Sequence, residues 1–598
     1  MAKWILKRIG ADFTGLSEKH GVSPLFIRLL VNRGITDDAG IEAYIHGDDS
    51  VFHDPFLLKD MDGAVKFITD KISSGKKIRI VGDYDVDGVC ASAVLKKGLD
   101  LAGGDVDTRI PHRINDGYGL NENIIDEAHN DGIDTIITCD NGISAVNEIE
   151  KAKQYGMSVV ITDHHEVPFT EVDGKKIYTM PPADFVVDPK REDDTYPYQG
   201  ICGAYVAFKF IKGLLYGPYT ETLTNYEEIK SRRDNLMSEL TELAGLATVA
   251  DIMELTGENR ELVKKGLALM ADSKNTGLKA LINKTGIKEK KLSAYHCGFI
   301  LGPCINASGR VDTAERALDL LLCNDENEAS VMATELSELN ESRKTMTQNA
   351  IKEAVKYIEE NNMTSDKVLV VYIPDCHESV AGIVAGKIRE KYSRPVFVVT
   401  DGAEGVKGSA RSVESYNIYD EMTKISDIFT KYGGHSQAAG FSMASPDDVE
   451  RLRTRLNENC TLSFDELRDI MYIDADAPFA YCTPKLLDEL EYMQPTGHGN
   501  KSCTFARKDV EILSKKVFGK DGIVGKYRVK DTTGETAELT LFNRNEELEN
   551  LLYDKYGEDT VRNGFAGKGG ITFSVAYHPS WNEYNGTRTL QLIIDDFC

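Results

Sequence analysis

The chain has 598 residues, 41% hydrophobic and 28% charged, and its 70 Lys and Arg against 96 Asp and Glu give a formal charge of -26. That length holds three or four domains with a large core, and the balance is that of a soluble globular protein. The N-terminus MAKWILKRIG lacks the apolar centre of a secretory signal, no run of about 18 apolar residues suggests a membrane span, and the 11 cysteines form no CxxC pair. The expectation is a cytoplasmic chain with reduced thiols and no membrane partner. An acidic charge counts against nucleic acid unless bound metals or a local basic groove reverse the field.

Residues 1–55 show short helical patterns such as SPLFIRLLVNRG and are expected to form a helical N-terminal cap without chemistry of its own. Strand and helix then alternate. Strands are predicted at 78–82, 106–110, 133–139, 157–162 and 184–187, with helices between them at 121–131 and 144–155. This is the pattern of a doubly wound parallel sheet, whose ligands sit beyond the C-terminal ends of the strands.

The first strand runs into GDYDVDG, which sets Asp83, Asp85 and Asp87 on alternate residues where a helix begins. Crowded carboxylates repel one another and lose hydration, and a divalent cation is the simplest relief. A solvated Asp-rich turn accounts for the same residues. After the second strand, PHRINDGYGL offers Arg113 and Tyr118 to a phosphate and a base or sugar, or is an ordinary surface loop. The third strand ends at Asp140, with Asn141-Gly142 as the turn and Ser144 as the expected N-cap of the next helix. The fourth ends at Asp163-His164-His165. Imidazole with carboxylates suits Mn²⁺ or a similar ion, and a carboxylate beside a ligating His fixes its tautomer. LATVADIMEL is a helical apolar run ending near Asp251, an acid that needs a partner in such surroundings. Each motif is weak alone; their recurrence along one sheet edge carries the reading.

GPCINASGRVDTA, at 302–314, breaks the helical pattern and presents Asn306, Ser308 and Arg310, the last either a phosphate clamp or a salt-bridge partner. Residues 324–362 form a long amphipathic helix between lobes. A second α/β lobe follows, with strands KVLVVYIP and SRPVFVVT flanking the helix HESVAGIVAGKIREKY. GVKGSARS carries Ser409, Arg411 and Ser412, and KYGGHSQAAGFSM carries Gly433, Gly434 and His435, either an anion site or a purely structural glycine-rich turn. From about 471 the pattern reads all-β, with a turn at Thr532–Gly534, and fits a small OB-like barrel. Lys515, Lys516, Lys526, Arg528 and Lys530 with Tyr527, Phe542 and Trp581 are expected to form a basic stacking face, unless the barrel only supports the lobes.

GDYDVDG, TCDNG, TDHH and VADIMEL, followed by INASGR, SARS and YGGHSQAAG, stand in the order of the motifs of the DHH phosphoesterase superfamily. The chain resembles that superfamily over nearly its whole length. Within it, PHRINDGYGL and the OB-like end make it similar to the RecJ-type single-stranded-DNA-specific exonucleases. The resemblance implies a DHH catalytic domain at 56–255, a helical connector at 256–365, a DHH-associated domain at 366–465 and an OB-like domain at 466–598. It implies two Mn²⁺ or Mg²⁺ ions held by Asp83, Asp85, Asp140, His164 and Asp251, with Asp140 as the bridge. Asp87, Asp163 and His165 would stand behind the ligands or touch phosphate. Arg113, Tyr118, Asn306, Arg310, His377, Ser409, Arg411, Gly433, Gly434 and His435 would hold the DNA. Two departures are Ser379, where the family usually has glycine, and Arg79, where related enzymes carry a His.

The implied activity is 5′-to-3′ digestion of single strands to 5′-mononucleotides in DNA repair and recombination. The expected partners are a single-stranded-DNA-binding protein and a helicase, and the expected state is a monomer. Rival readings are a phosphodiesterase for short oligonucleotides or cyclic dinucleotides, a non-catalytic replication scaffold and an inorganic pyrophosphatase.

Overall fold

The computed structural model describes residues 2–598 except Asp48, Ile114, Asn115, Tyr118, Glu289, Lys290, Ala403, Glu404, Lys520, Asp521, Asn585 and Gly586. The chain divides into two compact units. One comprises Asp48–Thr345 and Pro495–Lys501; the other comprises Met1–Gly47, Met346–Gln494 and Ser502–Cys598.

The first unit is built on five parallel strands in the order Asp105–Arg109, Lys77–Val81, Thr135–Cys139, Ser158–Thr162 and Phe185–Val187. The β-branched runs of the last four bury both faces, as a parallel sheet requires. Side chains alternate: Ile78 and Ile80 pack with helices Met61–Ser73, Val86–Leu101 and Gly203–Tyr216. Val81, Ile136 and Ile161 face helices Glu122–Asn130 and Val146–Gln154. The predicted strands are all present, within two residues at each end. One cap differs: Ser144 does not start the helix after the third strand, which begins after Ala145, and the Ile143 N–H goes instead to Asp163 at 3.0 Å.

Helices Tyr226–Ala250, Gly257–Met270, Thr276–Lys284 and Glu315–Leu322 extend the same core. Within the stretch 302–314 the helix breaks only at Asp312–Ala314, not at its start. Ala294–His296, a π-helical segment Cys297–Leu301 and Gly302–Val311 form one continuous helical run. Pro303 has no N–H to donate, and the π-helical turn just before it, where the Gly302 N–H reaches the Cys297 carbonyl, carries the run past it. The 35-residue helix Glu326–Glu360 carries the chain past Thr345 into the second unit.

That unit holds a five-stranded mixed sheet, in the order Lys431–His435, Ala438–Met443, Val406–Arg411, Val396–Asp401 and Leu369–Tyr372. Helix Glu378–Tyr392 covers one face with Ala350, Ala354 and Ile358 of the long helix, and Asp448–Asn459 covers the other. It also holds a closed barrel of Phe505–Phe518, Val524–Lys530, Thr536–Phe542, Thr587–Phe597 and Thr572–Tyr584, the last pairing back to the first. Closure leaves no free edge in the barrel. The region is not all-β: Pro484–Glu491, Asn545–Tyr556 and Glu558–Asn563 are helices. The N-terminal residues are not all helical either. Lys3–Leu6 is a strand parallel to Ile470–Ile473, and Phe26, Ile27 and Leu30 of the following helices sit in the barrel's core. Among the described residues no helix is long and apolar enough to cross a membrane.

Candidate metal centre

Three strands and one helix end deliver the acids. Asp83 follows Lys77–Val81 and is buried, and its Oδ1 has no hydrogen-bond partner among the described residues. Asp85 caps the next helix, accepting from the N–H groups of Asp87 and Gly88 at 2.9 and 3.2 Å. Asp87 accepts from Gly203 and Ala204 N–H at 2.6 and 2.8 Å, so the start of a second helix holds it. Asp140 follows Thr135–Cys139 with φ of 60°, a left-handed conformation that is costly away from glycine. Asn141 locks this edge: it donates to the carbonyls of Val81 and Cys139 at 3.0 and 2.9 Å.

Asp163 organises the two histidines. Its Oδ1 accepts from the His164 N–H at 2.7 Å and from His165 Nδ1–H at 2.7 Å. His164 Nε2 then lies 3.0 Å from Asp140 Oδ1, 3.5 Å from Asp87 Oδ2 and 3.8 Å from Asp251 Oδ2. Asp251 closes the ring as the C-cap of Tyr226–Ala250. Three overlapping groups result, each with ligand atoms within 4.8 Å: Asp83, Asp85 and Asp140; Asp87, His164 and Asp251; and Asp140, His164 and His165.

The electrostatics are those of a site short of positive charge. Burial and the neighbouring carboxylates raise Asp83 and Asp140 well above the ordinary range and push Asp251 up to about 8. Burial lowers His164, which keeps it neutral and able to ligate. Burial opposes charge on His165 as well, but its hydrogen bond to Asp163 prevails and lifts it to about 9. Asp163 is correspondingly lowered, against its burial. The orphaned Asp83 oxygen, the crowded carboxylates and the mixed O and N donors fit Mn²⁺ or Mg²⁺.

The other predicted residues fall in two places. In the first unit, the Arg113 guanidinium lies over the Tyr84 ring, 4.7 Å from its centroid. Arg310 is pushed down to about 10 by burial and by Arg113 and Arg343. Asn306 Oδ1 accepts from the Val86 N–H at 3.2 Å, which ties its helix to the Asp-rich loop. Tyr118 lies outside the described residues. Arg79 is taken up in ion pairs with Asp107 and Asp131 at 2.7 and 2.8 Å.

In the second unit, His377 caps helix Glu378–Tyr392 and accepts from the Ser379 hydroxyl at 2.7 Å. Ser409 and Arg411 lie two apart on Val406–Arg411, against Gly382, where a Cβ would sit 2.9 Å from an Arg411 guanidinium nitrogen. Gly433, Gly434 and His435 are in a strand, not in a glycine-rich turn. The register puts Arg411 and His435 on either side of Ala438. On the barrel, Tyr527 is fully buried and leaves the expected stacking face, while Arg528 and Lys530 beside it are exposed.

Sequence reasoning missed Asp188, which follows the strand Phe185–Val187 at the same edge. It is fully buried, one of its oxygens has no partner among the described residues, and burial and Asp163 push it up to about 8. The signal was available as VVDP, an apolar strand ending in an acid.

Residues 77–250 match the DHH family, N-terminal domain; 365–461 match the DHHA1 domain; and 473–596 match the RecJ OB domain. The single-stranded-DNA-specific exonuclease RecJ of Bacillus subtilis is 32% identical over 599 residues, 99% of this chain and 70% of that one. Its counterpart in Salmonella typhimurium is 30% identical, over 99% of this chain and 98% of that one. The crystal structure of RecJ in complex with Mn²⁺ from Thermus thermophilus superposes with a TM-score of 0.78 at 26% identity, covering all of this chain and 79% of that one. The chain therefore belongs to the RecJ family of DHH proteins.

Proposed function

We propose that this chain is a metal-dependent, single-stranded-DNA-specific 5′-to-3′ exonuclease that releases 5′-mononucleotides in DNA repair and recombination. The observation that carries the reading is the gathering of five acids and two histidines at one sheet edge, with one buried carboxylate oxygen left unpartnered among the described residues. A barrel matching the RecJ OB domain in the same chain supports a single strand as substrate. The relatives named single-stranded-DNA-specific exonucleases support the same substrate class.

Asp83, Asp85, Asp140, His164 and Asp251 would hold the ions, with Asp87 in reach of His164. Bound there, Mn²⁺ or Mg²⁺ supplies a water of lowered pKa and positive charge against the phosphate. The chain's own groups do the rest. His165, held cationic by Asp163, would lend its positive charge to the phosphate. Arg310, with Arg113 braced on Tyr84, offers charge to a terminal phosphate. Ser409, Arg411 and His435 form a second set of phosphate contacts on the mixed sheet. The scaffold reading finds no support, because the metal-capable residues are all in place. A monomer in the cytoplasm, working with a helicase and a single-stranded-DNA-binding protein, completes the proposal.

The test is digestion of a long single strand labelled at each end in turn, with Mn²⁺, Mg²⁺ or chelator. Early release of mononucleotide from the 5′ label, abolished by chelator, is expected. Release from the 3′ label first, or activity in chelator, would overturn it.

A further inference from the structure

The helical run Ala294–Val311 touches the Asp-rich loop along its second half. Asn306 accepts from the Val86 N–H, and a Cβ on Gly309 would lie 2.7 Å from the Tyr84 carbonyl oxygen. Gly302 lets the run lie against Ala250 and Val86, at 3.4 and 3.8 Å for an added Cβ, and Gly298 does the same against Val249. Those residues flank Asp85, Asp87 and Asp251. Arg310 stands at the C-terminal end of this run. At the other end are Tyr295 and Phe299, four residues apart on one helix face. Their rings are stacked, with centroids 5.0 Å apart and an interplanar angle of 24°, yet they are 61% and 69% exposed.

Two large aromatic rings stacked in water are an unusual use of surface, and exposed apolar patches mark interaction sites. The π-helical segment that carries Phe299 is a feature that recurs at functional sites. The charge nearby narrows the occupant. In a chain of net charge -26, the stretch just before Tyr295 has Lys284, Lys288, Lys290 and Lys291 with the single acid Glu289. Lys284, Lys288 and Lys291 are exposed. Aromatic faces beside lysines are the equipment for single-stranded nucleic acid, in which every base has a π-face to stack.

We propose that Tyr295 and Phe299 form a base-stacking platform for the substrate strand. The strand would run along this helix from Arg310, past the metal centre, to the two rings. Phe299 and Arg310 are eleven residues apart, roughly 16 Å of helix, so the platform grips bases a few nucleotides beyond the terminal phosphate. The inference rests on the single-strand exonuclease reading above and adds to it a residue pair that sets affinity for longer strands.

The experiment uses the full chain with Mn²⁺ and 5′-phosphorylated oligo(dT), carrying one abasic residue at successive positions. The wild type is expected to show raised KM when the abasic residue falls over the platform. Tyr295→Ala/Phe299→Ala is expected to raise KM about tenfold on the unmodified strand, the loss of one stacked base. It should also flatten the abasic profile at that position. Tyr295→Phe/Phe299→Tyr, which keeps both rings, should restore both. An alanine pair with unchanged KM and an unchanged abasic profile would overturn the proposal and leave the patch to a protein partner. A wild type that digests no single strand would instead overturn the exonuclease reading itself.

Discussion

Gly203 packs so closely on Asp140 that a Cβ there would lie 2.7 Å from Asp140 Cβ and 2.9 Å from its Oδ1. Gly203 also donates its N–H to Asp87 at 2.6 Å, so one residue fixes two acids of the candidate metal centre. Gly203→Ala is therefore expected to displace Asp140 rather than unfold the chain. Mn²⁺ affinity by calorimetry should fall about tenfold or more, with the melting temperature of the metal-free protein little changed. Unchanged affinity would show that Asp140 is not held by this contact.

The pH dependence of stability follows from the crowded acids. Asp251 at about 8, and Asp83 and Asp140 above the ordinary range, keep protons in the folded chain that the unfolded chain has lost above about pH 4. The metal-free protein therefore loses stability as pH rises from about 4 to about 8. His165 acts in the same direction: its gain is complete below its unfolded value of about 6.5 and is lost as pH passes about 9. Mn²⁺ must displace the carboxylate protons, so its stabilising effect should grow over the same window. Melting curves at pH 5.5, 7 and 8.5 with and without Mn²⁺ check this; an increment independent of pH would contradict it.

His165 separates two roles. Its Nδ1–H is committed to Asp163, which holds the ring beside the acids without making it one of the expected ligands. His165→Gln should lower kcat by about 10²-fold, the usual loss for one well-placed donor, with Mn²⁺ affinity retained. A loss that excess Mn²⁺ repairs would make His165 a ligand instead.

The barrel offers a paired comparison on one strand. Tyr527 is fully buried and its hydroxyl donates to Asn545 at 3.0 Å, so Tyr527→Ala should cost about 3–5 kcal/mol of stability. Arg528 points outward, so Arg528→Ala should leave stability within about 0.5 kcal/mol. It should weaken single-strand binding and reduce the salt slope by about one unit. Denaturant melts and binding at several salt concentrations measure both.

These cases show what the sequence makes legible. The parallel sheet could be read because its central strands are short apolar runs, and its candidate ligands because Lys77–Val81, Thr135–Cys139 and Ser158–Thr162 are each followed by an acid. Tyr527 follows the alternation of a strand: neighbours face opposite sides, so it cannot share a face with Lys526 and Arg528. Other features depend on contacts distant in sequence. Gly203 meets Asp140 across 63 residues, and the strand Lys3–Leu6 exists only because Ile470–Ile473 lies beside it. Gly433 and Gly434 hid a strand, since glycine has low strand propensity; Gly434 stands there because a Cβ would lie 2.3 Å from the Ala438 carbonyl oxygen. The break expected over 302–314 falls only at Asp312–Ala314, because a π-helical turn carries the chain past Pro303.

The proposed hydrolytic centre is the cluster around Asp140. Its most direct test compares Asp140→Ala with wild type for Mn²⁺-dependent release of mononucleotide from a 5′-phosphorylated single strand, with folding verified by melting. Loss of at least about 10³-fold in rate is expected, the scale of removing metal catalysis from a hydrolytic site. An Asp140→Ala protein that releases mononucleotides at the wild-type rate would contradict it.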